Sequence, residues 1–388
     1  MNIIICHNEY AAPSGEEHAI SEISSLMREN GHKVEYFFRT SASIKNKKDK
    51  LKALFSGIHS PEVVNALNHL LAKQRPDLAF VQNLYPFISP SILPLLHRNG
   101  VPVIMRCPNY RLFCPNGLFL CKDEICERCS GGHEYWAVLR NCESDLPKSI
   151  GYAVRNAVAR ITRRILDNVD CFIVLSEFQR QKFIDNGIPE NKVVILHNVL
   201  PNVSHNVESN NLGAAITFVG RISPEKGIED FVDAARLLPD IPFNVVGNYE
   251  TMSALVKKSP SNIKWLGFLK GKALDDVHKL SRILVMPSRC YEGFPNVITR
   301  GMLFALPVIA SNIGGIPEIV ENGVTGLLYE PKNVDDMVAK IQYLYNDVNK
   351  CMKMGIAGEA KAKHDYNREV IGQKLEEILW KKVNSLKK

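Results

Sequence analysis

The chain has 388 residues, 45% of them hydrophobic, with ten cysteines and a formal net charge of +7. At roughly 100 to 200 residues per domain, this length favours two domains with a core each, while Lys and Arg spread over both halves argue against a dedicated nucleic-acid surface. No stretch approaches the roughly 18 to 20 unbroken apolar residues of a bilayer span, and "MNIIICHNEY" lacks the charged start and long apolar run of a secretory signal, so a cytosolic chain with reduced or metal-bound cysteines is expected.

Short apolar, β-branched runs alternate with helical patterns, which predicts parallel α/β sheets covered on both faces. In the first half the strands are "NIIICH", "KVEYFF", "DLAFVQ", "VPVIMR", "CFIVLS" and "VVILHN", and the first helix is "GEEHAISEISSLMREN", closed by Gly31. The run "SIKNKKDKLKALF" is basic; it reads as a solvated helix face or as a contact with anionic lipid headgroups or an acidic acceptor. The polar stretch "PNVSHNVESNNLG" (201–213) reads as an interdomain linker. A second series follows: "AITFVG", "FNVVGN", "IKWLGF", "ILVMPS" and "LPVIAS", with helices from about Gly227, Gly271 and Pro295, then "VDDMVAKIQYLYND" and "NREVIGQKLEEILWKKV". The expectation is two doubly wound domains facing a cleft, with ligands at the carboxyl ends of the strands.

Within "FVGRISPEKGIEDFVDAARLL", Gly220 turns the chain after a strand, and Arg221 and Lys226 sit in the loop before a helix. Two cations beside a helix N-terminus suit a diphosphate, because the helix amides add to the side-chain charge; the alternative is a pair of solvated loop cations. "CYEGFPNVITRGM" repeats the arrangement, with Pro295 at a helix start and Glu292 just outside it. A carboxylate there suits the hydroxyls of a sugar better than a bare phosphate, or else it is a solvated loop residue. Gly314 and Gly315 either let backbone approach a ligand or make a tight turn.

The segments "VGRISPEKG", "PSRCYEGFPNVITRGMLFALPVIAS" and "GGIPEIVENGVTGLLYEP", in this order and spacing, resemble the second domain of the GT-4 family of retaining nucleotide-sugar glycosyltransferases, which have the two-domain GT-B fold. "PSGEEHAISEISSLMRENGHKVEYF", "NYRLFCPNG" and "SEFQRQKFIDNGIPENKVVILHN" resemble the first domain. The resemblance implies a first, acceptor-side domain of residues 1–200 plus 367–388, because the last helix crosses back, and a nucleotide-sugar-binding domain of residues 201–366. It implies that Arg221 and Lys226 hold the donor diphosphate, that Gly15 opens a turn facing it, and that Glu292, the first Glu of an E-x7-E motif, contacts the donor sugar beside the amides of Gly293 and Phe294. The base is placed near Gly267, and no metal is required for catalysis. The implied donor is a UDP- or GDP-sugar, and the implied acceptor a glycan or lipid-linked molecule in surface polysaccharide synthesis, at the inner face of the membrane if the acceptor lies there.

Two positions depart from the family. Its second motif Glu, which binds ribose hydroxyls, falls on Arg300, and a guanidinium donates where a carboxylate accepts. Asn296 and Arg300 share a helix face, so Arg300 either meets a diphosphate or an acidic sugar, or turns to solvent. The family's histidine near the reacting sugar is replaced by Pro108. A binding or partner protein on the same fold, with weakened turnover, is the alternative function.

Cys114, Cys126, Cys129 and Cys142 form C-x11-C-x2-C-x12-C, with Cys107, Cys121 and His133 nearby. The C-x2-C pair suits a tetrahedral structural zinc; reduced packing cysteines, an iron–sulfur cluster or disulfides are the alternatives. Cys6 and Cys171, inside strand patterns, read as small buried hydrophobes.

Overall fold

The computed structural model describes residues 1–11, 15–201, 203 and 212–385. The chain divides into two compact units: Met1–Cys121 with Cys126–Val199 and Arg368–Lys388, and Lys122–Ile125 with Leu200–Asn367. Most of the expected linker, residues 202 and 204–211, lies outside the described residues, as do Pro13 and Ser14 of the expected glycine turn.

The first unit contains β1 (Asn2–Glu9), β2 (Lys33–Thr40), β3 (Leu78–Val81), β4 (Val103–Arg106), the short hairpin strands β5 (Leu120–Cys121) and β6 (Glu124–Ile125), whose tip groups with the second unit, then β7 (Cys171–Val174) and β8 (Val193–Ile195). Its six-stranded sheet runs β2-β1-β3-β4-β7-β8, and every pairing is parallel. All four residues of β3, β4 and β7 are buried, which is why the sequence shows them as unbroken apolar runs.

The second unit contains β9 (Ala215–Val219), β10 (Phe243–Val246), β11 (Ile263–Trp265), β12 (Ser281–Met286), β13 (Val308–Ser311) and β14 (Gly326–Tyr329). They form a parallel sheet in the order β11-β10-β9-β12-β13-β14, with the reversal of direction between β9 and β12. Side-chain caps start several covering helices: Asn333 accepts from the Asp336 amide at 2.9 Å, and Asp347 from that of Lys350 at 3.0 Å.

The last helix, Arg368–Ser385, belongs to the first unit. Ile371, Leu375, Leu379 and Val383 recur every four residues and enter the same buried cluster as Ile3, Ile5, Ile23 and Leu26. At its start Arg368 donates to Glu22 and Glu29 of the helix Gly15–Glu29, both contacts at 2.8 Å or less. No helix among the described residues is long and apolar enough to cross a membrane.

Candidate active site

Strand β9 ends beside β12, where the strand order reverses, and open parallel sheets hold ligands just beyond the carboxyl ends at that point. Residues Pro224–Lys226 make one tight turn, and Gly227 then takes a left-handed conformation (φ 69°) to start the helix Ile228–Leu237. An added Cβ on Gly227 would lie 1.7 Å from the carbonyl oxygen of Pro287, so only glycine lets this loop pack on the one after β12.

From that second loop Glu292 meets Lys226. The Lys226 ammonium donates to Oε1 at 2.5 Å, and the Ser288 hydroxyl donates to the same oxygen. Both charged side chains are mostly shielded from solvent. Burial pushes the Glu292 pKa up, but Lys226, Ser288 and Arg221 outweigh it and hold the carboxyl below its ordinary range. Burial likewise disfavours the Lys226 cation, and Glu292 outweighs that, leaving its pKa raised. Arg221 is different: its side chain is exposed, with Nη2 3.3 Å from Glu225.

The loop after β13 closes under Glu292. The Gly315 amide donates to the Glu292 carbonyl at 2.7 Å, and a Cβ on Gly314 (φ 63°) would lie 2.6 Å from both the nitrogen and the oxygen of Glu292. The backbone that these glycines admit is therefore that of Glu292.

Arg289, which sequence reasoning passes over, ties the two loops together. Its Nε donates to Asp230 Oδ2 at 2.9 Å, Nη2 donates to the other Asp230 oxygen, and Nη1 donates to Glu229 at 3.0 Å. Its own amide donates to the Glu225 carbonyl at 3.0 Å. The bonds to Asp230 hold the guanidinium well above its ordinary pKa. The available signal is the acidic pair Glu229 and Asp230 in the first turn of a helix beside an anion site, which calls for a cation.

Gly220 donates its amide to the Val246 carbonyl at 3.0 Å, and Gly247 donates to the Gly267 carbonyl at 2.8 Å, so Gly220 and Gly267 lie along the carboxyl edge of β9, β10 and β11. The Gly293 residue is buried, and the Phe294 ring packs edge-on against Tyr366 with centroids 4.9 Å apart, which makes that side chain a core contact. Asn296 opens the helix Asn296–Leu303 and is half-buried, as is Arg300.

Arg300 corrects the sequence reading. It is not turned to solvent: its Nη2 donates to Asp275 Oδ1 on the helix Gly271–Lys279, and both side chains are mostly buried. A guanidinium leaving water needs a carboxylate, and Asp275 supplies it from the neighbouring helix.

In the first unit Gly15 is the first residue of the helix Gly15–Glu29, with open space around its Cβ position. Asn109, which follows Pro108, donates to Glu16 Oε1 at 3.0 Å, and Tyr10 donates to Glu16 Oε2 at 3.1 Å. Arg106 at the end of β4 is buried, donating to Gln82 at 2.9 Å and to Asn198, and burial pulls its pKa down to about 10.

Of the cysteines expected to hold zinc, Cys114 and Cys129 are buried and Cys126 and Cys142 half-buried. Among the described residues no group of three or more His, Cys, Asp or Glu side chains is arranged to hold a metal ion. Cys142 instead places its sulfur 3.1 Å from that of Cys121, a partner outside the expected spacing, and burial first and Cys121 second push its thiol pKa far up.

With this geometry in view, comparison with known proteins decides the family. The model described as glycosyl transferases group 1 matches residues 204–361, and the glycosyl transferase 4-like domain matches residues 14–199. The chain belongs to this family of glycosyltransferases. An uncharacterized glycosyltransferase of Methanocaldococcus jannaschii is 32% identical to it over 212 residues, which cover 53% of this chain and 58% of that protein. A capsular polysaccharide biosynthesis glycosyltransferase of Staphylococcus aureus is 25% identical over 206 residues, 50% of this chain and 52% of the relative. The chain thus spans little more than half the length of these two curated relatives. Among solved structures, Anabaena HepE in complex with UDP-glucose superposes with a TM-score of 0.66 at 17% identity, covering 98% of this chain and 100% of the other, which shows a shared GT-B fold.

Proposed function

We propose that this glycosyltransferase moves a hexosyl unit from a UDP- or GDP-sugar to a glycan or lipid-linked acceptor, with retention at the anomeric carbon, in the synthesis of a surface polysaccharide. The observation that carries the reading is the shielded, charged Lys226–Glu292 pair at the reversal of the second sheet, between the mouths of two helices. Lys226 and Arg221 supply positive charge where a departing nucleoside diphosphate gains negative charge. Glu292, held ionised, accepts hydrogen bonds from donor-sugar hydroxyls. The bond from the anomeric carbon to the diphosphate oxygen breaks, the bond to the acceptor oxygen forms on the same face, and the leaving phosphate takes the acceptor proton. The capsular relative and the neighbour solved with UDP-glucose support the acceptor and donor classes.

The deciding experiment measures nucleoside-diphosphate release from a panel of donors with cell-envelope extract as acceptor, for the parent and Glu292→Ala. Release with one donor, lost in the variant, is the expected result. The Arg300–Asp275 pair favours a second reading, a nucleotide-sugar-binding protein with weakened turnover, since it leaves the family's ribose-binding position without a carboxylate. Binding of donors with no release from any of them would establish that reading and end the first.

A further inference from the structure

The first sheet has a reversal of its own, between β1 and β3, while Lys226, Arg289 and Glu292 all belong to the second unit. Open parallel sheets hold ligands beyond the carboxyl ends of their strands at such a point. The helix Gly15–Glu29 is seated there by Gln82, the first residue after β3, whose Nε2 donates to the Glu16 carbonyl at 2.9 Å.

The Glu16 side chain lies in a closed ring of hydrogen bonds. The Tyr10 hydroxyl donates to Oε2 at 3.1 Å and the Asn109 side-chain amide to Oε1 at 3.0 Å. Arg111 fixes both donors: its Nη1 donates to the Tyr10 oxygen at 2.6 Å, and its backbone amide donates to Asn109 Oδ1 at 3.1 Å. Burial first, and Glu16 next, push the Tyr10 pKa far up, so this hydroxyl stays a donor. The helix dipole explains an acid in the first turn, but not three further side chains engaged in orienting it. Glu16 is half-buried, so a carboxylate set in one orientation remains open to solvent.

A second observation at the same strand end points to a ligand. His7 is 0% exposed and neither of its ring nitrogens has a hydrogen-bond partner; Nε2 stops 3.7 Å from Glu17 Oε1, in the first turn of the same helix. Burial pulls its pKa down against the opposing pull of Glu17, Glu16 and Glu9, so the ring is neutral, with one donor and one acceptor nitrogen unmatched. An unmatched buried polar group costs stability, and a hydroxyl between Nε2 and Glu17 would satisfy both, since it donates and accepts. Arg106 and Arg111, both felt by Glu16, offset two of the three carboxylates, which leaves no surplus positive charge for a phosphate or a uronate.

We propose, on the transferase reading above, that Glu16, with Glu17 and His7 beside it, binds adjacent hydroxyls of a neutral sugar at the end of the acceptor.

NMR titrations of the full chain with methyl glycosides of neutral hexoses and with methyl glucuronide, alone and with UDP or GDP present, test it. The parent is expected to bind a neutral hexoside about tenfold or more better than the glucuronide. Glu16→Gln keeps the shape and loses the charged acceptor, which weakens that binding about tenfold. His7→Leu removes a polar group that has no partner in the free protein, so affinity falls about tenfold while the urea midpoint holds or rises. A residue with a structural role alone would not separate the two readouts. The urea melts also show whether each variant is folded, and the two changes lie on different elements, so failure of one to fold leaves the other decisive. No binding of any neutral hexoside, a preference for the glucuronide, or equal affinity in the parent and the folded variants overturns the proposal. Nucleoside-diphosphate release by the parent is followed separately. Turnover without hexoside binding ends the sugar site and keeps the transferase; hexoside binding lost in the variants, with no turnover from any donor, keeps the site and ends the transferase.

Discussion

Arg300 gives one arm of its guanidinium to Asp275, which joins the helices Asn296–Leu303 and Gly271–Lys279 by a mostly buried ion pair. Replacing Arg300 by the carboxylate of the family pattern would therefore take from Asp275 its buried partner.

In Arg300→Glu two carboxylates face each other away from water, and urea unfolding should show a loss of about 3 kcal/mol. Adding Asp275→Arg should recover part of that loss. Unchanged stability in the single variant would mean that the pair does not form.

Lys226→Ala removes charge from the proposed diphosphate position and leaves Glu292 shielded without its main partner. The expected fall in kcat/KM is about 100-fold or more, and Lys226→Arg should not restore it, because a planar fork cannot replace a point charge in the same space. Stability should report the same change. In the parent the Glu292 pKa is depressed, so its contribution is present above the ordinary carboxyl range and lost as pH falls through the folded value. In the variant burial is no longer outweighed by the ammonium, so that contribution should shrink or change sign. Urea midpoints for both proteins between pH 4 and 8 give the comparison, and parallel curves would contradict it.

His278 is buried, stacks on Phe304 with centroids 5.1 Å apart, and shares a 2.8 Å hydrogen bond between Nδ1 and the Leu274 carbonyl. Burial first, and Arg300 in addition, bring its pKa down to about 4 against an ordinary 6.5, while the Leu274 carbonyl and Asp275 act in the opposite sense. Between these values the unfolded chain binds the extra proton, so stability should fall as pH drops from 6.5 toward 4, by about 3 kcal/mol in all. His278→Phe keeps the stacking and removes the titration. The difference in urea midpoint between parent and variant should change over that window and nowhere else.

The Cys121 and Cys142 sulfurs, 3.1 Å apart, should be the pair joined when the protein is treated with diamide. Because the Cys142 thiol is pushed up, the reaction should be slow at pH 7 and faster at pH 9. Peptide mapping should find this one crosslink among the five cysteines of segment 114–142, and a crosslink at the C-x2-C pair in its place would contradict the geometry.

The parallel strands were readable because burial on both faces writes them as continuous apolar runs, as in "CFIVLS" for β7. β14 carries no such signal: "GLLY" begins at a glycine and lacks β-branched residues. The helix Val348–Asp365 is also weakly marked, because two of its buried positions are glycines, and a Cβ on Gly355 would lie 1.8 Å from the Ala305 carbonyl. In the site, Lys226 and Glu292 stand in local motifs and could be picked out directly. Arg289 could not, since Asp230 lies 59 residues away and only the fold brings them together. Cys121 is a similar case, 21 residues from Cys142 and off the spacing that suggested a metal.

The tie between Arg289, Glu229 and Asp230 also shapes the field felt by an arriving ligand. Acidic residues in the first turn stabilise a helix by facing its positive end, but here they would repel a phosphate approaching that same end. With Arg289 held between them, one of the two negative charges is offset, and the helix amides and Lys226 act against the other. The helix can thus keep its stabilising acids and still present an attractive mouth to an anion.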